Sequence, residues 1–476
     1  MEDRLPPGFV RRMRALLGDG YPAFAASYRQ PLRRGLRVNL LKCAPEGLRA
    51  LFPLPLTPVP FSPAGFAVEG ELRAGADPLH HAGAYYMQEP SAMSAATVLD
   101  ARPGERVLDL CAAPGGKSTQ LAAAMGGRGL LWCNEYVRSR ARILSQNLER
   151  CGVANAVVSS QDAPSLCDKL AGWFDAVLVD APCSGEGMFR KEPAALEQWS
   201  EENILLCAAR QREILRAAAR AVRPGGRLVY STCTFAPEEN ECMAAWFLRE
   251  HPQFAADMPA VSFGRPAFPW ERVRSFAPPG EREGSPATEA FLRVLPADGG
   301  EGHFVARFRR LDDGEPSPPP PFEGGRDGLC AAARELAAAC LCRVPEGTFA
   351  LFGDTVRILP PELPAVRGLA VLHAGVDAAA VPAGARGGRL EPCHGLFMAV
   401  RPEDCRRALD FPLAGEEIRQ FLLGGELPAG EAAGWTAVAV EGIVAGFGKA
   451  AGGRLKNRYP KGLRLRESDA PFHSLL

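Results

Sequence analysis

Short apolar, β-branched runs and amphipathic stretches alternate through the middle third of the chain. Arg106–Cys111, Gly129–Glu135, Ala156–Ser160, Phe174–Pro182 and Arg227–Cys233 read as strands. Helical patterns lie between them near 117–126, 137–150, 164–171 and 208–222, and Gly225-Gly226 stops the last. Such alternation predicts an α/β fold, a doubly wound and mostly parallel sheet covered by helices on both faces. Two further runs, Phe291–Leu295 and His303–Arg310, are spaced to form an antiparallel pair at one edge. This yields a seven-stranded Rossmann-like core.

The flanks are less regular. Residues 1–95 hold a helix near 7–17 and several short strands. The Pro-rich stretch Pro316 to Pro321, followed by Gly324-Gly325, reads as a linker. The expected organisation is an N-terminal extension over 1–95, a core over 96–311, a linker over 312–325, an α+β subdomain over 326–401 and a final domain over 402–476. Arg401-Pro402-Glu403-Asp404 marks the last boundary as a helix start.

Composition changes this picture little. Of 476 residues, 47% are hydrophobic and 23% charged, as in ordinary soluble proteins. There is no apolar run of membrane-spanning length and no secretory signal, so the expectation is a cytoplasmic protein with no membrane partner. The fourteen cysteines include no C-x-x-C pair, which argues for reduced thiols and against a zinc site. Net charge is zero, but its distribution is uneven. Residues 1–50 carry ten Lys/Arg against four Asp/Glu, and Lys449 to Arg466 holds seven basic residues and no acid. Basic ends around a core suit a phosphate backbone, so RNA is the expected partner.

The turn Cys111-Ala112-Ala113-Pro114-Gly115-Gly116-Lys117 follows the first core strand. It is not a P-loop, because Cys111 stands where the first glycine is needed, and it lacks the third glycine of a dinucleotide fingerprint. With Asp109 beside it, the loop suits a cationic ligand without phosphates, such as S-adenosylmethionine. Glu135 ends the second strand, where an acid accepts from two ribose hydroxyls. Asp162, after the third, is placed for the adenine edge, with a helix N-cap as its alternative role.

Two thiols complete the pattern. Cys183 follows Asp180-Ala181-Pro182, and Cys233 sits in Ser231-Thr232-Cys233-Thr234. Both stand at carboxyl ends of strands, where ligands of such sheets bind. A thiolate that adds to C6 of a pyrimidine makes C5 nucleophilic, so the pair indicates methylation at C5 of cytosine. Residue chemistry alone leaves either thiol as the nucleophile. Asp180 is placed to meet N3 of the base as a general acid.

These motifs, in this order, resemble the RNA 5-methylcytosine methyltransferase family, the Nol1/Nop2/Sun group. Arg37-Val38-Asn39-Leu40 and Tyr86-Met87-Gln88-Glu89-Pro90-Ser91 resemble its pattern too, so the likeness covers roughly residues 35–310. It implies Cys233 as nucleophile and Cys183 as the group assisting product release. It also implies Cys111 to Lys117, Glu135, Asp162 and Asp180 as cofactor contacts. DNA enzymes attack with a Pro-Cys cysteine, so the two thiols favour RNA over DNA. Gly185 to Pro193 and Lys456 to Arg464 are similar to the bacterial branch acting on small-subunit ribosomal RNA, whose tail is PUA-like. The branch implies a monomer working on 16S rRNA or the 30S particle. The alternatives are a transfer-RNA cytosine-C5 methyltransferase and a non-catalytic ribosome assembly factor of the same fold.

Overall fold

The computed structural model describes residues 5–70, 72–284, 286–311, 314, 319–322, 328–381 and 390–466. The core strands are β1 (Arg106–Asp109), β2 (Leu130–Asn134), β3 (Ala156–Ser159), β4 (Phe174–Asp180), β5 (Val222–Thr232), β6 (Leu292–Val294) and β7 (His303–Arg310). They lie in the order β6-β7-β5-β4-β1-β2-β3. β1 to β5 run parallel, and β7 returns antiparallel along β5 with β6 beside it. Successive residues face opposite sides. Leu108, Trp132, Val177 and Leu228 enter the core under helices Ala163–Lys169 and Glu201–Ala221. Val107, Leu131, Leu178 and Val229 enter the other, under Gly116–Ala124 and Arg138–Arg150.

Two boundaries differ from the sequence reading. The long helix begins at Glu201 rather than near 208, because Ser200 caps it by accepting from Asn203 N and two glutamates fill its first turn. β5 begins at Val222, so Gly225-Gly226 lies inside the strand, not at a helix stop.

The sheet is wider than its seven-stranded core. Arg265–Pro266 pairs with β6 and Phe254–Ala256 with β7. Val371–Ala374, from beyond the Pro-rich stretch, runs antiparallel along β3. Residues 312, 313, 315–318 and 323–325 of the expected linker lie outside the described residues. Its described part is docked: Phe322 N donates to Leu363 O at 3.0 Å, and Pro320 O accepts from Ala365 N at 2.7 Å.

The N-terminal part adds helix Pro7–Leu17 and a four-stranded antiparallel sheet that includes Arg34–Val38 and Tyr85–Met87. The last domain holds a five-stranded sheet whose longest strands are Gly434–Val440 and Ile443–Ala451. These two ends share one core. Leu36, Val38 and Tyr85 pack with Ile418, Phe421 and Ile443, and His81 Nδ1 meets Tyr459 Oη at 2.8 Å.

Candidate active site

The loop after β1 turns at Gly115, whose φ of 114° is the left-handed region that glycine adopts without strain. The N-terminal sheet braces this loop. Arg37 is buried, and its guanidinium donates to Gln88 Oε1 at 3.0 Å, Gly116 O at 3.0 Å and Thr119 Oγ1 at 2.7 Å. The motifs around Arg37 and Tyr86 therefore act structurally, by fixing the loop. A cavity of about 250 Å³ opens beside it, lined by Asp109, Cys111 to Pro114, Gly116, Lys117, Asp180 and Cys233.

The cavity fits S-adenosylmethionine. Asp109 is buried, Ser118 donates to Oδ2 at 2.7 Å, and Oδ1 has no partner among the described residues. An orphaned acceptor here suits a cationic ligand. Burial pushes the Asp109 carboxyl up to about 7. Glu135, at the end of β2, is buried and accepts from Val137 N at 2.9 Å. Asp162 caps helix Ala163–Lys169 by accepting from Ser165 N at 2.8 Å, the alternative role foreseen for it. Glu135, Asp162 and Gly115 are not among the residues lining the cavity.

The two thiols meet. Cys183 Sγ and Cys233 Sγ are 3.4 Å apart, both half-buried. Their loops are stapled together. Ser184 Oγ and Thr234 Oγ1 are 2.7 Å apart, and buried Glu239 accepts from Ser184 N at 3.0 Å and Gln211 Nε2 at 2.7 Å. Glu186 accepts from Trp199 Nε1 at 2.8 Å, Thr234 Oγ1 at 3.0 Å and Phe235 N at 2.9 Å. The hydrogen bond with Cys233, together with burial, holds the Cys183 thiol well above its usual value, so it keeps its proton.

Asp180 is ionised. Burial acts to raise its carboxyl, but Lys117 Nζ at 2.6 Å and the neighbouring His303 outweigh it and hold it well below the usual range. Ser231 Oγ donates to its other oxygen at 2.8 Å. Lys117 is raised in turn, burial being outweighed by Asp180. This corrects the expectation of Asp180 as a general acid: an ionised carboxylate accepts hydrogen bonds and has no proton to give.

Sequence reasoning passed over Arg37's contacts, Glu239 and His303. Glu186 was visible only as a feature of one branch. Nothing local marks them, since Arg37 reaches Gln88 across 51 residues of chain, Glu239 reaches Ser184 across 55 and Glu186 reaches Thr234 across 48.

A parallel sheet, a Gly-Gly turn into a helix and an orphaned acid in the adjoining cavity define an S-adenosylmethionine-dependent methyltransferase of Rossmann-like fold. Residues 96–309 match the family described as 16S rRNA methyltransferase RsmB/F. Residues 5–90 match the N-terminal domain of 16S rRNA methyltransferase RsmF, and 408–465 its PUA domain. The chain is 33% identical over 481 residues to ribosomal RNA small subunit methyltransferase F of Citrobacter koseri, covering 96% of both proteins. It is 38% identical to the same-named protein of Enterobacter sp., over 67% of this chain and 66% of that one. A crystal structure of a methyltransferase homologue from Pyrococcus horikoshii aligns with TM-score 0.55 at 30% identity, over 64% of this chain and 94% of that one. The chain belongs to the RsmB/F family of 16S rRNA methyltransferases.

Proposed function

We propose that this protein methylates C5 of cytosine in 16S ribosomal RNA, free or within the 30S particle, through a covalent adduct between Cys233 and C6. The observation that carries this is the pair of thiols 3.4 Å apart, of which Cys233 lines one cavity with the Lys117–Asp180 ion pair. The target base is flipped out of its stack to reach them. Cys233 thiolate adds to C6, and the C5=C6 electrons move toward C5 and N3. Ionised Asp180 accepts from the 4-amino group, which uracil lacks. S-adenosylmethionine supplies the methyl group that the activated C5 accepts. Loss of the C5 proton then restores the double bond and expels Cys233, with Cys183 assisting release.

In this reading Cys111 to Lys117 cradle the cofactor, Glu135 takes its ribose and Asp162 its adenine. Residues 1–95 and 402–476 hold RNA, and their shared core ties the two parts together. The chain works as a monomer. The test is bisulfite sequencing of 16S rRNA from a strain lacking the protein, before and after incubation with pure enzyme and S-adenosylmethionine. New protected cytosines are expected with wild type and none with Cys233→Ala. Methylation of any other base or position would sink the proposal.

A further inference from the structure

His303 opens β7. Phe304 pairs with Thr232 of β5, so one further step along the antiparallel ladder sets His303 beside Cys233. The His303 side chain is 2% exposed, yet neither ring nitrogen has a hydrogen-bond partner among the described residues. Burying an imidazole unpartnered is unfavourable, and a ligand that fills the gap removes that cost. Nε2 lies 3.7 Å from Asp180 Oδ1, beyond hydrogen-bond distance but near enough to help hold that carboxylate ionised. The ring lines the same cavity as Lys117, Asp180 and Cys233.

The ion pair next to His303 is already formed. Both Asp180 oxygens accept, from Ser231 and from Lys117, and one Lys117 N–H is directed at Asp180 at 2.6 Å. Cytosine presents N3 as an acceptor, and its demand for a donor grows when Cys233 adds to C6 and charge moves onto N3. The Nε2–H tautomer of His303 is an uncommitted donor at this place.

We propose that His303 is a further catalytic residue of this site, donating from Nε2–H to N3 of the target cytosine. The inference rests on the cytosine-C5 reading above. The thiolate pair forms the S–C6 bond, and the displaced C5=C6 pair gives an anion shared by C5 and N3. His303 stabilises that anion by hydrogen bonding and keeps its proton throughout. The pair at C5 takes the methyl group of the sulfonium donor, the thioether leaves, and the adduct becomes neutral. The C5 proton then passes to water, its electrons restore C5=C6, and the thiolate departs. The gain is confined to the charged adduct, so it appears in the rate rather than in ground-state binding.

The experiment uses the full chain, tritiated S-adenosylmethionine and a 16S rRNA transcript or 30S subunits, under single turnover. His303→Phe and His303→Leu are each expected to slow methyl transfer about 100-fold, the loss typical of one oxyanion-type donor, with unchanged affinity for cofactor and RNA. His303→Gln retains an N–H and should recover about tenfold of that loss. Two apolar variants guard against one that fails to fold. A folded apolar variant at the wild-type rate overturns the proposal. So does a rate loss matched by lost cofactor binding, or one that His303→Gln does not relieve. Wild-type enzyme that forms no 5-methylcytosine overturns the cytosine-C5 reading itself, before any variant is compared.

Discussion

Asp180 stands directly across the parallel ladder from Ser231, and Ser231 Oγ donates to Asp180 Oδ1 at 2.8 Å. This register sets the chemistry. Three residues beyond Asp180 and two beyond Ser231, the chains leave β4 and β5 carrying Cys183 and Cys233, whose sulfurs meet at 3.4 Å. A slip of one residue would turn one side chain to the opposite face and part the thiols.

The thiols should be separable by mutation. Cys233→Ala is expected to abolish methylation, because no other route makes C5 nucleophilic. Cys183→Ala should still form the S–C6 bond and methylate, but release its product slowly. The expected species is a protein–RNA adduct that survives denaturing gel electrophoresis and disappears in the double mutant. An adduct from Cys233→Ala and none from Cys183→Ala would exchange the two roles.

Glu135→Ala should weaken S-adenosylmethionine binding by roughly 1–3 kcal/mol, the cost of leaving paired hydroxyls without their acceptor. Calorimetry of the folded variant measures this directly. Unchanged affinity would remove Glu135 from the cofactor site.

Arg37→Ala should damage the cofactor loop from outside it. The buried guanidinium makes three hydrogen bonds to Gln88, Gly116 and Thr119, and its loss strands their acceptors. A stability loss of about 2–4 kcal/mol in denaturant unfolding is expected, with weaker cofactor binding. Full cofactor affinity in the variant would mean the loop holds its shape unaided.

Glu239 supplies a pH test of the thiol loop. Burial outweighs the donors Ser184 and Gln211 and pushes its carboxyl up to about 8. The folded value therefore lies above the unfolded one of about 4.3. Its contribution to stability is fully present below the unfolded value and is lost as pH rises through about 8. Glu239→Gln, which keeps the neutral shape, should flatten thermal stability across that window. An identical pH profile for variant and wild type would show that Glu239 carries no proton at neutral pH.

Deleting residues 326–476 should unfold the core rather than trim it. β3 would lose its antiparallel neighbour Val371–Ala374, and Leu36 and Tyr85 would lose their cover. A truncated chain is expected to melt well below the full one and to bind cofactor poorly. The basic tail would also contribute less than its seven charges suggest, since Arg454 pairs with Glu426 and Arg458 with Glu391, each at 3.0 Å. A truncated chain that melts and binds cofactor normally would restore the picture of separable domains.

What the sequence determined by itself is local. Alternating runs set β1 to β5 and the helices between them, because side-chain period and turn residues act within a few positions. The Gly-Gly turn and the two strand-end thiols were legible for the same reason. Ser200 shows the limit: its capping role was also local, but it was overlooked beside the stronger pattern that begins near 208. The tertiary structure alone decided three things. It brought Val371–Ala374 to β3 and joined the N-terminal sheet to the C-terminal one, since apolar faces choose partners by shape and burial across hundreds of residues. It made Asp180 an ionised acceptor, because charge state depends on which cation lies nearby. And it put His303, unpartnered among the described residues, beside Cys233, because antiparallel register, not sequence distance, sets which strand ends meet.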